Sequence, residues 1–153
     1  MELKNETMLL RKGITGFGNT SFLTIDEVKT VLRNIKYPYI HSNIVEPQIS
    51  SNYFRTEIEN KINNLKFSLL INSKFFVIAG TTTESKWLDL NFIDLPSDFT
   101  EQIKNDNITI VNKNKLETKI PQSEFEILDK QEISQIKYWK SETYGEIIFN
   151  GYD

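Results

Sequence analysis

Lys66-Phe67-Ser68-Leu69-Leu70-Ile71-Asn72-Ser73-Lys74-Phe75-Phe76-Val77-Ile78-Ala79 sets two short apolar runs on either side of an Asn-Ser pair. Runs of this length, bounded by turn residues, have the reach of buried strands and fall short of ordinary helices. The pair Asn72-Ser73 predicts an antiparallel hairpin with a two-residue loop of the type I′ class, whose central positions take positive φ. A strand pair at mid-chain makes a sheet the organising element.

Upstream of the hairpin, Thr24-Ile25-Asp26-Glu27 has the spacing of a capping box, in which the Thr hydroxyl accepts a first-turn amide and Glu27 reaches back. Ile25, Val28, Val31, Leu32 and Ile35 then form one apolar stripe, so a helix is expected to run to about Lys36, ahead of Pro38. A second helix is expected over 51–65, with Phe54, Ile58, Ile62 and Leu65 on one face, although Asn60, Asn63 and Asn64 have weak helix propensity. Downstream, Trp87, Leu88, Leu90, Phe92, Ile93 and Leu95 predict a third strand before Pro96, and residues 97–104 a short helix. Residues 108–111 predict a fourth strand, paired with 116–120. The order points to an α+β fold: two N-terminal helices, a mostly antiparallel sheet of about four to five strands, and a C-terminal helical or mixed segment.

At 153 residues, with 39% hydrophobic and 25% charged residues, the chain fits one domain, 1–153, that folds alone. There is no repeat and no Pro- or Ser-rich linker, and the abundance of Asn, Lys and Ile reads as the bias of an AT-rich genome. With zero cysteines there is no disulfide framework or thiolate chemistry. The N-terminus lacks the basic start and long apolar stretch of a signal peptide, and no apolar stretch approaches the roughly 18–20 residues of a membrane span. A cytoplasmic location without a membrane partner is therefore expected. The net charge of −3 disfavours direct nucleic-acid binding, which relies on Lys and Arg neutralising phosphates. Charge is also unevenly spread, with a balance of +2 over residues 1–36 and −4 over residues 121–153.

No motif announces a reaction. His41 is the sole histidine, so a triad or a His-containing metal site would have to be built on it, and no His-x-x-x-His or calcium-loop spacing supplies partners. A loop histidine after a helix stop is the simpler reading. Gly13, Gly16 and Gly18 depart from both the Gly-x-Gly-x-x-Gly and the phosphate-loop spacings, and read as a glycine-rich turn or bulged strand that helps a partner backbone approach. Asp89 and Asp94 differ by an odd number, so on one regular strand they face opposite ways. That spacing argues against a paired acid and base. Asp89, Asp94 and Asp98 read as solvent-side carboxylates or as an acidic rim facing a partner. No catalytic residue, metal site or cofactor is expected.

The tail over 133–153 carries the sharper signal, since chain ends fray unless packing holds them, yet this one contains Tyr138, Trp139, Tyr144, Ile147, Ile148, Phe149 and Tyr152. Trp139, Ile147, Ile148 and Phe149 suit a core, whereas Tyr138, Tyr144 and Tyr152 are expected to keep an exposed edge. Tyr and Trp dominate binding hot spots, and Glu142, Glu146 and Asp153 lie beside them, a mixture suited to a basic partner. The partner-binding set is therefore Tyr138, Trp139, Glu142, Tyr144, Glu146, Tyr152 and Asp153, with Asp89 and Asp94 as the acidic rim.

Ile136-Lys137-Tyr138-Trp139-Lys140, followed by Gly145-Glu146-Ile147-Ile148-Phe149-Asn150-Gly151-Tyr152-Asp153, resembles the ending of small bacterial immunity proteins of polymorphic and contact-dependent toxin systems. Tyr152 stands where that ending has a second Trp, and Ser141 where a Pro follows the Lys. The resemblance implies a cytoplasmic, non-enzymatic protein that binds and neutralises one cognate toxin domain, often a nuclease or other enzyme with a basic surface. Two other classes fit the same composition: a small hydrolase-type enzyme using His41 with a distant carboxylate, and a phage or mobile-element accessory protein.

Overall fold

The structure is a computed structural model that describes residues 9–17, 21–48, 51–86 and 89–152. Strands β1 (Tyr39–His41), β2 (Tyr53–Asn60), β3 (Lys66–Asn72), β4 (Val77–Thr81) and β5 (Phe92–Ile93) pair in sequence order, each antiparallel to its neighbour. A sixth strand, β6 (Thr109–Ile110), runs parallel to β4. β5 and β6 divide the outer edge of β4 between them, β6 lying against Val77 and Ile78 and β5 against Gly80 and Thr81. Helices α1 (Ile25–Leu32), α2 (Ser97–Ile103), α3 (Lys113–Leu116), α4 (Lys130–Trp139) and α5 (Tyr144–Ile148) complete the mixed fold, with a 3-10 turn at Gln122–Ile127. No helix among the described residues is long and apolar enough to cross a membrane.

The decisive hairpin forms from the expected runs, with a longer connection. Apart from Lys66, β3 is buried, and β4 is buried throughout, which is why both read as unbroken apolar runs without alternation. Ile71 pairs with Ile78, so the loop is 73–76 and Asn72 belongs to the strand. The Asn72 Oδ1 accepts the amides of Lys74 and Phe75 at 2.9 and 3.1 Å, turning the chain by side chain where the sequence predicted a two-residue backbone turn.

Both faces of the sheet are covered. Phe54 and Ile58 of β2, Leu69 and Ile71 of β3 and Ile78 of β4 pack with Val28, Val31 and Leu32 of α1 and Phe99 and Ile103 of α2. Tyr53, Leu70 and Ala79 point the other way and meet Leu10 and Ile14, α3, α4 and the α5 region. Burying each Val, Leu, Ile or Phe side chain among these contributes about 1.5–3 kcal/mol.

Three expectations are corrected. Residues 53–60 form a strand, so the second N-terminal helix is absent; Phe54 and Ile58, four apart, satisfy a helical stripe and a two-residue period equally, and Asn60 then ends the strand by accepting the amides of Ile62 and Asn63. Residues 116–120 do not pair with β6. Leu116 closes α3, capped by the Asn112 side chain, and the following segment joins the tail through Ile120 N–H to Glu142 O and Tyr144 N–H to Thr118 O. The third strand shrinks to Phe92–Ile93, while Asp89 bridges back to Lys86; Trp87 and Leu88 lie outside the described residues. The first helix is capped as expected, with Glu27 N–H donating to Thr24 Oγ1 and Thr24 N–H to Glu27 Oε1, though it closes earlier, at Leu32. The helix expected over 97–104 is α2.

Candidate functional site

The C-terminal segment is held by two polar devices. In the first, Glu132 of α4, fully buried, closes a capping box with Asp129 and also accepts from the glycine-rich turn: Gly13 N–H at 2.9 Å, Thr15 N–H at 3.0 Å and the Thr15 hydroxyl at 2.6 Å. Gly13 and Gly16 take φ of 94° and 89°, the left-handed region that glycine enters without a steric penalty. The turn therefore cradles an anion, and the anion is the chain's own carboxylate. Gly18 lies outside the described residues.

The second device is a buried asparagine network. Asn52 and Asn72 both donate through Nδ2 to the carbonyls of Ile14 and Ile148, at 2.8–3.1 Å. Asn150 donates to Thr15 O and Ile147 O, while its own N–H donates to Asn52 Oδ1 at 2.7 Å and its Oδ1 accepts from Tyr152 N–H. Buried backbone groups need partners, and these three side chains supply them where three distant stretches meet. Composition alone does not account for these asparagines.

Beyond α4, Lys140 adopts a left-handed C-cap with φ 58°, and Thr143 with Glu146 forms the capping box of α5. Tyr144, Ile147, Ile148, Phe149 and Tyr152 are buried, so the expected exposed edges of Tyr144 and Tyr152 are corrected. The Tyr144 hydroxyl donates to Glu124 Oε1 at 2.9 Å, and that of Tyr152 to Ser141 Oγ at 2.5 Å. Burial, together with Glu124, pushes the Tyr144 phenol up to about 12. Tyr152 also rises to about 12, chiefly by burial, with the Ser141 hydrogen bond opposing and the Glu146 charge adding.

Against this segment lies a cleft of about 510 Å³, with Asp89, Leu90 and Phe92 on the sheet-edge side and Trp139, Glu146 and Tyr152 on the tail side. The Trp139 and Tyr152 rings stack at 6.0 Å between centroids and 16° between planes. Gly145 forms part of the wall because a Cβ there would sit 2.5 Å from Phe92 Cε2. Of the nine residues nominated from sequence, the fold thus brings Asp89, Trp139, Glu146 and Tyr152 together. Tyr138 is 76% exposed and meets Trp139 edge to face, and Glu142 is exposed 3.9 Å from Lys119 Nζ. Asp94 lies outside the cleft and accepts the Lys113 amide, Tyr144 is interior, and Asp153 lies outside the described residues. Sequence reasoning missed Phe92, Gly145 and Gly151 as cleft walls, none of which carries a local signal.

His41 is exposed at the end of β1, with Nδ1 2.8 Å from the backbone oxygen of Ser42. The Ser42 hydroxyl instead accepts from Glu57 N–H and donates to Asn43 O. Among the described residues the geometry joins the imidazole to no nucleophile. Among the described residues no group of three or more His, Asp or Glu is placed to hold a metal. No protein-family model matches the chain, and neither a curated protein nor a solved structure shows significant similarity to it.

Proposed function

We propose that this protein is an immunity-type binding protein, non-enzymatic and cytoplasmic, that neutralises a cognate bacterial toxin domain by covering it with the acidic, aromatic surface around the C-terminal cleft. The observation that supports the reading most is the convergence of Asp89 and Glu146 with Trp139 and Tyr152 on one concave site, although Asp89 is far from the tail in sequence. Aromatic walls supply rigid contact area, and exposed carboxylates speed encounter with a basic surface. The partner is a basic protein domain such as a nuclease, and Tyr138 and Glu142 extend the contact surface. Co-expression with the product of the neighbouring gene tests this: the pair is expected to co-purify, and cells making the toxin are expected to grow only when this protein is present. Growth arrest despite its presence would refute the proposal.

A further inference from the structure

We infer that the cleft between the β5 edge and the C-terminal segment is an arginine site, accepting one guanidinium side chain of the partner against the open part of the Trp139 ring and the Asp89 and Glu146 carboxylates; this rests on the proposed function. The argument comes from what recognition capacity the cleft has left. Its aromatic polar atoms are already committed: Trp139 Nε1–H donates to Gln135 Oε1 at 3.2 Å, and the Tyr152 hydroxyl is bound to Ser141. The Asn150 side chain is spent on Thr15 and Ile147 carbonyls and the Tyr152 amide.

The unspent groups are acceptors and the open part of the half-buried Trp139 ring, since the Tyr152 ring is buried between Trp139 and Phe17. Glu146 Oε1 takes the amides of Glu142 and Thr143, leaving Oε2, and the Asp89 carboxylate has no hydrogen-bond or ion-pair partner among the described residues. No Lys or Arg lines the cleft among those residues. The complementary ligand is therefore cationic, rich in donors and flat enough to lie on a ring. A guanidinium meets all three requirements: it stacks on aromatic surface, sheds water more readily than an ammonium, and donates in a fork to a carboxylate. A lysine ammonium meets only the first two.

The probe is acetyl-arginine amide, titrated into the intact protein and followed by NMR at the Trp139 indole N–H and the Gly145 and Gly151 amides. Saturable shifts are expected. The lysine analogue should bind at least about threefold more weakly and the uncharged citrulline analogue not detectably. Glu146→Gln, which keeps the capping oxygen, and Asp89→Asn should each weaken the probe by about three- to fivefold, the scale of partly exposed ion pairs. No shifts at the cleft, or equal binding of the lysine or citrulline analogue, would overturn the assignment. A cleft that ignores arginine, in a protein that still captures its toxin, overturns this inference alone. An arginine response in a protein that captures no toxin overturns the proposed function and leaves the ligand chemistry standing.

Discussion

Replacing Glu132 with Ala should cost about 4 kcal/mol of folding stability, because this carboxylate is the acceptor that fixes the N-terminal turn to the C-terminal half. It is fully buried and receives Gly13 N–H, Thr15 N–H and the Thr15 hydroxyl, in addition to Asp129 N–H in its own capping box. A hydrogen bond to a charged acceptor contributes about 1.5–3 kcal/mol, and a buried donor left unpaired costs about 1–3 kcal/mol. Adding these over the three turn donors overshoots, because the contributions overlap and water enters the space. The expected loss therefore sits below that sum, at about 4 kcal/mol, near the upper end for breaking a buried hydrogen-bond network. At about 2–4 °C per kcal/mol for a chain of this size, the thermal midpoint should fall by about 8–16 °C. Glu132→Gln keeps one oxygen and should lose roughly half as much. Urea unfolding measures both, and hydrogen exchange at the Thr15 amide should accelerate alongside. If both variants stayed within about 0.5 kcal/mol of the parent, the carboxylate would not be the clamp described here.

Other consequences follow from the same contacts. Asn150→Ala strips two carbonyls and the Tyr152 amide of partners and should cost about 3 kcal/mol by urea unfolding, with loss of the Trp139–Tyr152 stack visible in near-ultraviolet circular dichroism. The phenols of Tyr144 and Tyr152 both rise from 10.0 to about 12, and burial raises Tyr39 and Tyr53 in the same direction. Their stabilisation is complete below pH 10 and is lost as pH climbs toward 12, because the unfolded chain releases protons that the folded one retains. A thermal-melting series should show that alkaline fall, and Tyr144→Phe or Tyr152→Phe should flatten it. His41→Ala, at an exposed position without a nucleophile beside its imidazole, should change stability by less than about 0.5 kcal/mol and leave capture of the proposed partner intact; loss of a hydrolytic activity in that variant would favour the enzyme reading instead.

Much of the frame was legible because it is written in local patterns. The Thr24–Glu27 capping box and the stripe through Val28, Val31 and Leu32 gave α1, and the apolar runs gave the central strands. β2 was misread because the four-residue interval of Phe54 and Ile58 fits two periods, and the arbiter is the pairing of residues 53–59 with β3, a tertiary fact. The acidic and aromatic residue types of the cleft were visible, but their meeting was not, since the loop before β5 and the tail are brought together only by the folded sheet edge. Exposure of Tyr144 and Tyr152 was misjudged for a related reason: a phenol can be interior when an acceptor elsewhere in the chain takes its hydrogen bond, and Glu124 and Ser141 are those acceptors. The asparagine network left no signature, because side-chain amides reading remote carbonyls have no characteristic spacing.

The most direct test is a calorimetric titration of the proposed partner, the product of the neighbouring gene, into the parent protein and into an Asp89→Lys, Glu146→Gln variant whose thermal midpoint matches the parent's. The variant is expected to bind at least about tenfold more weakly, as reversal and loss of charge in one cleft would produce. An unchanged dissociation constant would mean that the partner is held elsewhere and that the cleft is not the binding surface.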